Sequence, residues 1–443
     1  MKTFTGKKAF YLLVAGQTLY LLGSGLTQFA LMIWAYQTDG SATALVLLGF
    51  FSYITYILAS PIAGVLIDRL NRKWIMFTAD FLSGMVTAAL LLLYTQGHMQ
   101  LWHLYLAEGL SGLFEAFQSP SFFSVMSLLI PKEDYTRANA LVGITKSAVQ
   151  IIAPALASVI LSFGDLSTVM IIDLTTLIFG LSSLLLVHLP APVQSEEGIL
   201  AKGNFWHEIR FGFRYIFSRP GLKGILLIFA GINLAAGLTY MSILSPMILT
   251  RTNGDKMTLG IVQTIMGIGG ISGGLILALW KSPRRKARLY VWSTMLSFMI
   301  CDFCTAASRS VWGWSISGFF SELTIPFMVS PYYSLWQEHV PADVQGRVFA
   351  TREMVQMIPT PIGFLCGGLL ADHLFDPLFQ QPTALSWLVG SGPGAGMSAM
   401  FLMTGLMGTL TGLFGILSPA IRKLDDPSVS VESSLLPAEN KSI

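Results

Sequence analysis

The chain has 443 residues, of which 53% are hydrophobic and 12% charged, with a mean hydropathy of +0.64. Soluble domains carry about 25% charged residues, so half that density over this length excludes a soluble enzyme, a disordered chain and a disulfide scaffold. A net charge of +3 gives no field that would recruit nucleic acid, and Cys301, Cys304 and Cys366 all fall in apolar stretches, which argues against an oxidised framework. This composition is that of a polytopic membrane protein.

A helix needs about 20 mainly apolar residues to cross a bilayer, and the sequence predicts twelve such spans. They are 10–36, 42–67, 74–96, 101–130, 138–163 and 167–188 in the first half, then 222–250, 257–280, 289–308, 311–340, 351–375 and 397–420. The first apolar run is too long for a cleavable signal peptide and no small-residue cleavage site follows it, so none is expected. With the N-terminus cytoplasmic, 23 of the 27 Lys and Arg fall in inner segments. Only Arg251, Lys256 and Arg309 fall in outer loops, and Lys146 alone lies within a span. The excess of inner cations places both termini in the cytoplasm.

Outer loops are short, and the longest inner segment is 190–221. It opens with a polar Pro/Ser/Glu stretch and closes with Phe205–Ser218. There Phe205, Ile209, Phe213 and Ile216 alternate with His207, Glu208, Arg210 and Arg214, which suits a helix on the inner interface. This linker divides the chain into an N-terminal six-helix bundle, 1–189, and a C-terminal one, 222–424. The Ser/Pro/acid-rich stretch 425–443 is expected to be a disordered cytoplasmic tail. A faint repeat joins the halves: Pro131-Lys-Glu-Asp-Tyr-Thr-Arg137 follows span 4, and Pro341-Ala-Asp-Val-Gln-Gly-Arg347 follows span 10. The expected fold class is all-α, twelve transmembrane helices in two pseudo-symmetric six-helix bundles, a plan used by transporters with a site at mid-membrane.

The most specific motif is Gly64-Val-Leu-Ile-Asp68-Arg69-Leu-Asn71-Arg72-Lys73, between spans 2 and 3. Gly64 lets two helices approach closely, Asp68 ends span 2, and Asn71 can take a left-handed turn. Arg72 and Lys73 supply cations beside the carboxylate. The motif reads either as a positive-inside hairpin or as a charge latch closing the inner side in one state. Here the chain resembles the major facilitator superfamily, whose signature in this loop is G-x-L-x-D-R-x-G-R-K/R; Asn71 replaces the usual glycine. It is similar in particular to the macrolide-efflux and siderophore-exporter branch of drug antiporters. That likeness rests on Ala15-Gly-Gln-Thr, Ser24-Gly-Leu-Thr-Gln-Phe-Ala, Asp68–Lys73 with Asp80, and Gly346-Arg347-Val-Phe. The counterpart loop of the second half, Leu279-Trp-Lys-Ser-Pro-Arg-Arg-Lys286, keeps the cations and lacks the acid, so the first-half copy is expected to carry any latch.

Charged side chains inside a bilayer cost roughly 2.5–3.5 kcal/mol on insertion scales and usually face a cavity. Asp80, Glu108, Glu115, Lys146, Asp173, Asp302 and Glu322 fall within spans. The resemblance implies that helices 1, 2, 4 and 5 and their partners 7, 8, 10 and 11 line the cavity. Glu115, Lys146 and Glu322 would then face it, with Arg352 and Glu353 at its inner rim. Glu115 is the first candidate for proton coupling and Glu322 the second, against the alternative of carboxyls fixed by structural hydrogen bonds or by Lys146. Asp80 and Asp173 more often hold helix ends in the family resembled, and Asp302 receives no assignment. Tyr53, Phe117, Tyr332 and Tyr333 are candidate apolar walls for bulky cargo, with lipid contact as the alternative. The helix-4 arginine and the helix-5 G-P-x-x-G-G of many antiporters are replaced by Glu108–Glu115 and Ala153-Pro154-Ala-Leu-Ala157-Ser158.

Other signals read blandly. The run Gly267–Gly274 has the small-xxx-small spacing of tightly packed membrane helices. Cys301-x-x-Cys304 has no second ligand pair, so no metal is expected. No G-x-x-x-x-G-K-[ST] is present, so no ATP motor is expected in the chain. The resemblance implies a multi-pass carrier of the plasma (bacterial inner) membrane, a monomer with no cofactor beyond the proton gradient. It would export an amphiphilic small molecule by alternating access, without nucleic acid or ATP as partner. An importer shares every fold-level feature, and a transport-inactive sensor or scaffold is the alternative of another class.

Overall fold

The computed structural model describes residues 4–39, 42–190, 195–201, 203–280 and 283–426, so residues 427–443 of the expected tail lie outside it. The chain is almost wholly helical. Its first half holds α1 (Gly6–Asp39), α2 (Ala42–Arg69), α3 (Arg72–Thr95), α4 (Leu101–Leu129), α5 (Tyr135–Phe163) and α6 (Leu166–Leu186). Two short helices follow, α7 (Glu196–Ala201) and α8 (Phe205–Phe217).

In the second half, segments read as single spans are composite. Over span 7, α9 (Pro220–Ala236) passes through a π-helical turn, Gly237–Met241, into α10 (Leu244–Arg251). The straight α11 (Lys256–Leu279) comes next. Over span 9, α12 (Lys286–Leu296), a π turn at Ser297–Asp302 and α13 (Phe303–Ala307) run in series, followed by the straight α14 (Val311–His339). Over span 11, α15 (Gln345–Met357), α16 (Pro359–Leu370), a π turn at Ala371–Phe375 and α17 (Asp376–Phe379) do the same. The chain ends through α18 (Ser386–Val389), α19 (Ala395–Leu417) and α20 (Pro419–Arg422).

Among the described residues, ten helical segments are long and apolar enough to cross a membrane. Absent from those ten are α4 and α14, each 29 residues long, with Glu108, Glu115 and Gln118 in one and Glu322 in the other. Helix starts follow local chemistry: Asp165, Asn204, Asp255 and Ser310 each accept a first-turn backbone N–H, which satisfies donors the helix itself cannot.

Two compact units emerge. The first comprises Met1–Pro131, Leu141–Pro192 and Gln345–Met354, and the second Lys132–Ala140, Val193–Val344 and Val355–Ile443. The chain thus changes unit inside α5 and again inside α15, and these are the helices that follow the two copies of the Pro-to-Arg repeat. In the first unit α1 packs on α6 and α2 on α4. Gly112 of α4 lies where a Cβ would collide with the Ser52 carbonyl of α2. In the second unit α11 packs along α14. Gly269 and Gly273 face the carbonyl oxygens of Phe319 and Leu323 so closely that neither site has room for a Cβ. The glycine-rich run is therefore a packing surface.

Around the linker, α8 buries Glu208, Gly212, Tyr215 and Ile216, a stripe about one position round from the face predicted. The Tyr215 hydroxyl donates to the His339 carbonyl at 3.0 Å, and burial pushes that phenol up from its ordinary pKa. Asp425 is no part of a tail: its carboxylate accepts from the amides of Ala287 and Arg288 at 2.8 and 3.0 Å, capping α12.

Overpacking a tight interface costs about 1–3 kcal/mol. Gly273→Leu should therefore lower the unfolding temperature of the purified protein. Gly260→Ala on the same helix, where a Cβ would meet nothing within 4 Å, should leave it unchanged or raise it. Equal unfolding temperatures for the two variants would remove the glycine face from the packing.

Candidate functional site

Polar residues on the helices of the first unit converge on one cavity of about 430 Å³. Its charged lining comprises Asp80 from α3, Glu108 and Glu115 from α4, Lys146 from α5 and Asp173 from α6. Around these stand Gln17, Thr18, Tyr20, Ser24 and Gln28 of α1, and apolar side chains including Leu48, Leu104, Phe114, Phe122 and Phe123. The wall is amphiphilic.

The carboxyls fall into two sets. Asp80 is buried and accepts from Gln17 Nε2 at 2.9 Å, while Gln17 Oε1 accepts from Gln118 at 2.9 Å. Asp173 accepts from Ser24 and Thr87, each at 3.2 Å. These aspartates tie neighbouring helices together from within α3 and α6 rather than holding helix ends. The glutamates differ. Among the described residues, Glu108, Glu115 and Glu322 make no side-chain hydrogen bond or ion pair. Glu115 is also solvent-exposed, as is Lys146, because both side chains face the cavity. Lys146 and Glu353 are the charges that act on Glu115, and Glu115 acts on Asp80.

Other predicted residues stand elsewhere. Tyr53 is 40% exposed on α2 and is absent from the cavity wall, as is Phe117. Tyr332 is fully buried in the second unit, stacked on Phe229 at 4.2 Å between ring centroids, with its hydroxyl donating to Gln356 Oε1 at 2.8 Å. It is a core residue and no wall for cargo. Tyr333 packs edge-on against it. Arg352 and Glu353 pair with each other in the interior, the guanidinium over the rings of Phe349 and Phe123. They form a buried ion pair rather than an open rim. Glu322 belongs to the second unit and is partly buried.

The end of α2, the start of α3 and, from nearly 280 positions further along the chain, the start of α15 meet at Asp68. Its carboxylate is wholly buried and accepts from the amides of Gly346 and Arg347 at 2.8 and 3.0 Å. Arg72 Nη2 donates to it at 3.1 Å and Arg347 Nε lies 3.5 Å away. Asp68 thus occupies the N-terminus of α15, where free amides and the helix dipole favour an anion. Gly64 permits this approach, since a Cβ there would lie 2.7 Å from Ala350 Cβ and 2.8 Å from the Gly346 carbonyl.

Two details of the motif differ from expectation. Asn71 has φ −72° and caps α3, accepting from the Lys73 amide, so no left-handed turn is needed where the signature has glycine. Lys73 turns away from Asp68 and donates to the carbonyls of Leu185 and Val187 at 2.9 and 2.7 Å, closing the end of α6. Arg69 is exposed at the last residue of α2. In the second unit Arg137 Nε donates to the Ala278 carbonyl, 2.8 Å away at the end of α11. A neutral carbonyl stands there in place of the missing acid, so both repeat arginines are anchored and only one meets a carboxylate.

The helices, the cavity and the charged loop together define a membrane carrier. A family model for the Major Facilitator Superfamily matches residues 13–364, and the chain belongs to that superfamily of transporters. Macrolide efflux protein A of Streptococcus pyogenes is 24% identical over 83% of this chain and 90% of its own. The protein of the same name from Enterococcus faecalis is 26% identical over 72% and 97%. The multidrug efflux pump Tap of Mycolicibacterium fortuitum is 23% identical over 91% and 94%. The fold is similar to a bacterial homologue of the iron transporter ferroportin in its outward-facing state, with TM-score 0.66 and 17% identity over 93% of this chain and all of that one. It is also similar to the Escherichia coli fucose:proton symporter, with TM-score 0.65 and 14% identity over 92% and 98%.

A hydrogen bond to a charged group is worth about 1.5–3 kcal/mol, so Asp68→Asn should speed amide exchange at Gly346 and Arg347 by roughly tenfold or more. Exchange at wild-type rates would dismiss Asp68 as the anchor of α15.

Proposed function

We propose that this chain is a proton-coupled exporter of an amphiphilic small molecule, of the macrolide type, in a bacterial plasma membrane. The observation that carries the reading is Glu115: a carboxyl within a helical unit, exposed to an amphiphilic cavity, with no hydrogen bond or ion pair among the described residues. A group so placed can exchange its proton with water and release it when a cargo occupies the space. The efflux names of three relatives, each under 30% identical, support the outward direction. Counting α4 and α14 with the ten apolar segments gives twelve spans in two six-helix halves, with both termini cytoplasmic.

In this reading Asp68 and α15 form the inner gate by alternating access. Ionic and amide contacts hold the first turn of α15 against α2, and their release frees that helix at the inner side. Couplings of this kind are typically 1–3 kcal/mol, about 5- to 150-fold in a two-state ratio. Glu115 carries the proton, Lys146 sets its field, and Glu322 supplies a second unpartnered carboxyl in the other unit. The cavity's mixed wall accepts a cargo with one apolar body and few polar groups. A macrolide, a siderophore or a lipophilic dye each has that build. Direction is decided by the sign of proton movement.

Purified protein in liposomes loaded with a pH-sensitive dye should move protons against a macrolide or a cationic dye in the antiport sense. Movement in the same direction as cargo would establish import, and no proton movement with any cargo would favour a sensor. Glu115→Gln should abolish uphill efflux while leaving equilibrium cargo binding within about twofold, as expected for an exposed side chain that keeps its volume. Accumulation against a gradient at the wild-type level would remove Glu115 from the mechanism.

A further inference from the structure

The second unit holds a carboxyl that the transport reading leaves unused. Asp302 is 1% exposed and ends the π turn Ser297–Asp302. Oδ1 accepts from the Tyr240 hydroxyl and Oδ2 from the Thr404 hydroxyl, both at 2.8 Å. Tyr240 lies on the π turn Gly237–Met241 and accepts in turn from Ser321 of α14 at 3.0 Å. One carboxyl therefore gathers hydroxyls from the composite helix of span 7, from α14 and from α19.

Facing Asp302 are the Tyr240 phenol, the Thr404 hydroxyl and, on its own turn, the Cys301 thiol. No Lys, Arg or His is ion-paired with it among the described residues. A permanent anion with only hydroxyl donors is an expensive way to glue helices, because burying charge without a cation costs far more than burying an amide. Its setting is also unusual. π turns are rare and recur at functional positions. The three among the described residues lie in the second unit and all three abut α19. The Tyr240–Asp302 bond joins two of them.

We propose that Asp302 is a proton-binding residue whose occupancy sets how α19 packs against these turns. The ionised carboxylate accepts both hydroxyls, as observed. When it takes a proton from water, it becomes a donor at one oxygen, and either Tyr240 or Thr404 must rotate its own hydrogen away and accept. If Tyr240 rotates, the bond linking the two π turns reverses polarity, and the Tyr240 hydrogen turns to the Ser321 hydroxyl 3.0 Å away, so that bond reverses with it. The role in transport rests on the proton-coupled reading above; the protonation itself does not.

Infrared difference spectra of the full-length protein in lipid, taken between mildly acidic and mildly alkaline pH, test the two parts separately. A protonated-carboxyl band should titrate in the wild type, vanish in Asp302→Asn and shift in frequency in Tyr240→Phe. In liposomes Asp302→Asn should keep cargo binding and lose the pH dependence of efflux. An unchanged band in Asp302→Asn overturns the proposal, as does a lost band with an unchanged pH profile. A band that vanishes as expected in a protein that moves no protons with any cargo upholds the proton site and defeats the transport reading. Should Asp302→Asn fail to fold, Tyr240→Phe and Thr404→Val decide, and a band unmoved by both overturns the proposal.

Discussion

In hydrocarbon a polar group without a partner costs several kcal/mol, and the placement of every carboxyl in this molecule answers to that constraint. Four buried aspartates are paid for locally. Asp68 takes two helix amides and Arg72, Asp80 takes Gln17, Asp173 takes Ser24 and Thr87, and Asp302 takes Tyr240 and Thr404. The short aspartate arm keeps each carboxyl near its backbone, where a neighbouring helix can reach it. Three glutamates have no such partners, and two of them, Glu108 and Glu115, stand seven residues apart on one face of α4 toward the same cavity. Asp68, Asp80 and Asp173 join helices through these bonds, whereas the three glutamates make none among the described residues.

The repeat after spans 4 and 10 gains its meaning from the helices that follow it. Each leads into a helix that begins with one unit and continues in the other. At Arg347 the anchoring contact is charged and multiple, at Arg137 it is a single bond to a neutral carbonyl. The second unit anchors its repeat arginine at a helix end without an acid there. A charged anchor responds to protonation and to salt far more than a carbonyl does, so the first unit carries the contact better suited to switching.

Hydropathy located the helices to within a few residues because a bilayer demands long apolar runs whatever the side chains do in detail. Faces were harder to read. Glu115 and Lys146 line the cavity of the first unit, while Tyr332, read as a candidate cavity wall, lies in the core under Phe229 and Trp336. In an all-apolar helix nothing in the periodicity separates a core face from a wet one. Lys73 and Asn71 were legible as residues and not as roles, since the Leu185 and Val187 carbonyls that take up Lys73 are more than 100 positions away. The π turns left no trace for the same reason: one extra residue in a turn shifts the register of an apolar run that shows no register.

Those turns separate the two halves most sharply. The first unit's helices run unbroken, even through Pro61, Pro120 and Pro154, while the composite helices of spans 7, 9 and 11 each contain one π turn. A regular helix transmits a displacement along its length, and a π turn can absorb it by passing the extra residue along. The polar cavity and the charged anchor of α15 both sit in the unit whose helices are regular. The yielding segments cluster about α19, whose Gly405, Gly408 and Gly412 leave no room for Cβ atoms against Phe303, Phe298 and Met295. Close packing against glycine leaves α19 no interlocking side chain at these points, and the three π turns that touch it supply the irregular pitch on the facing side.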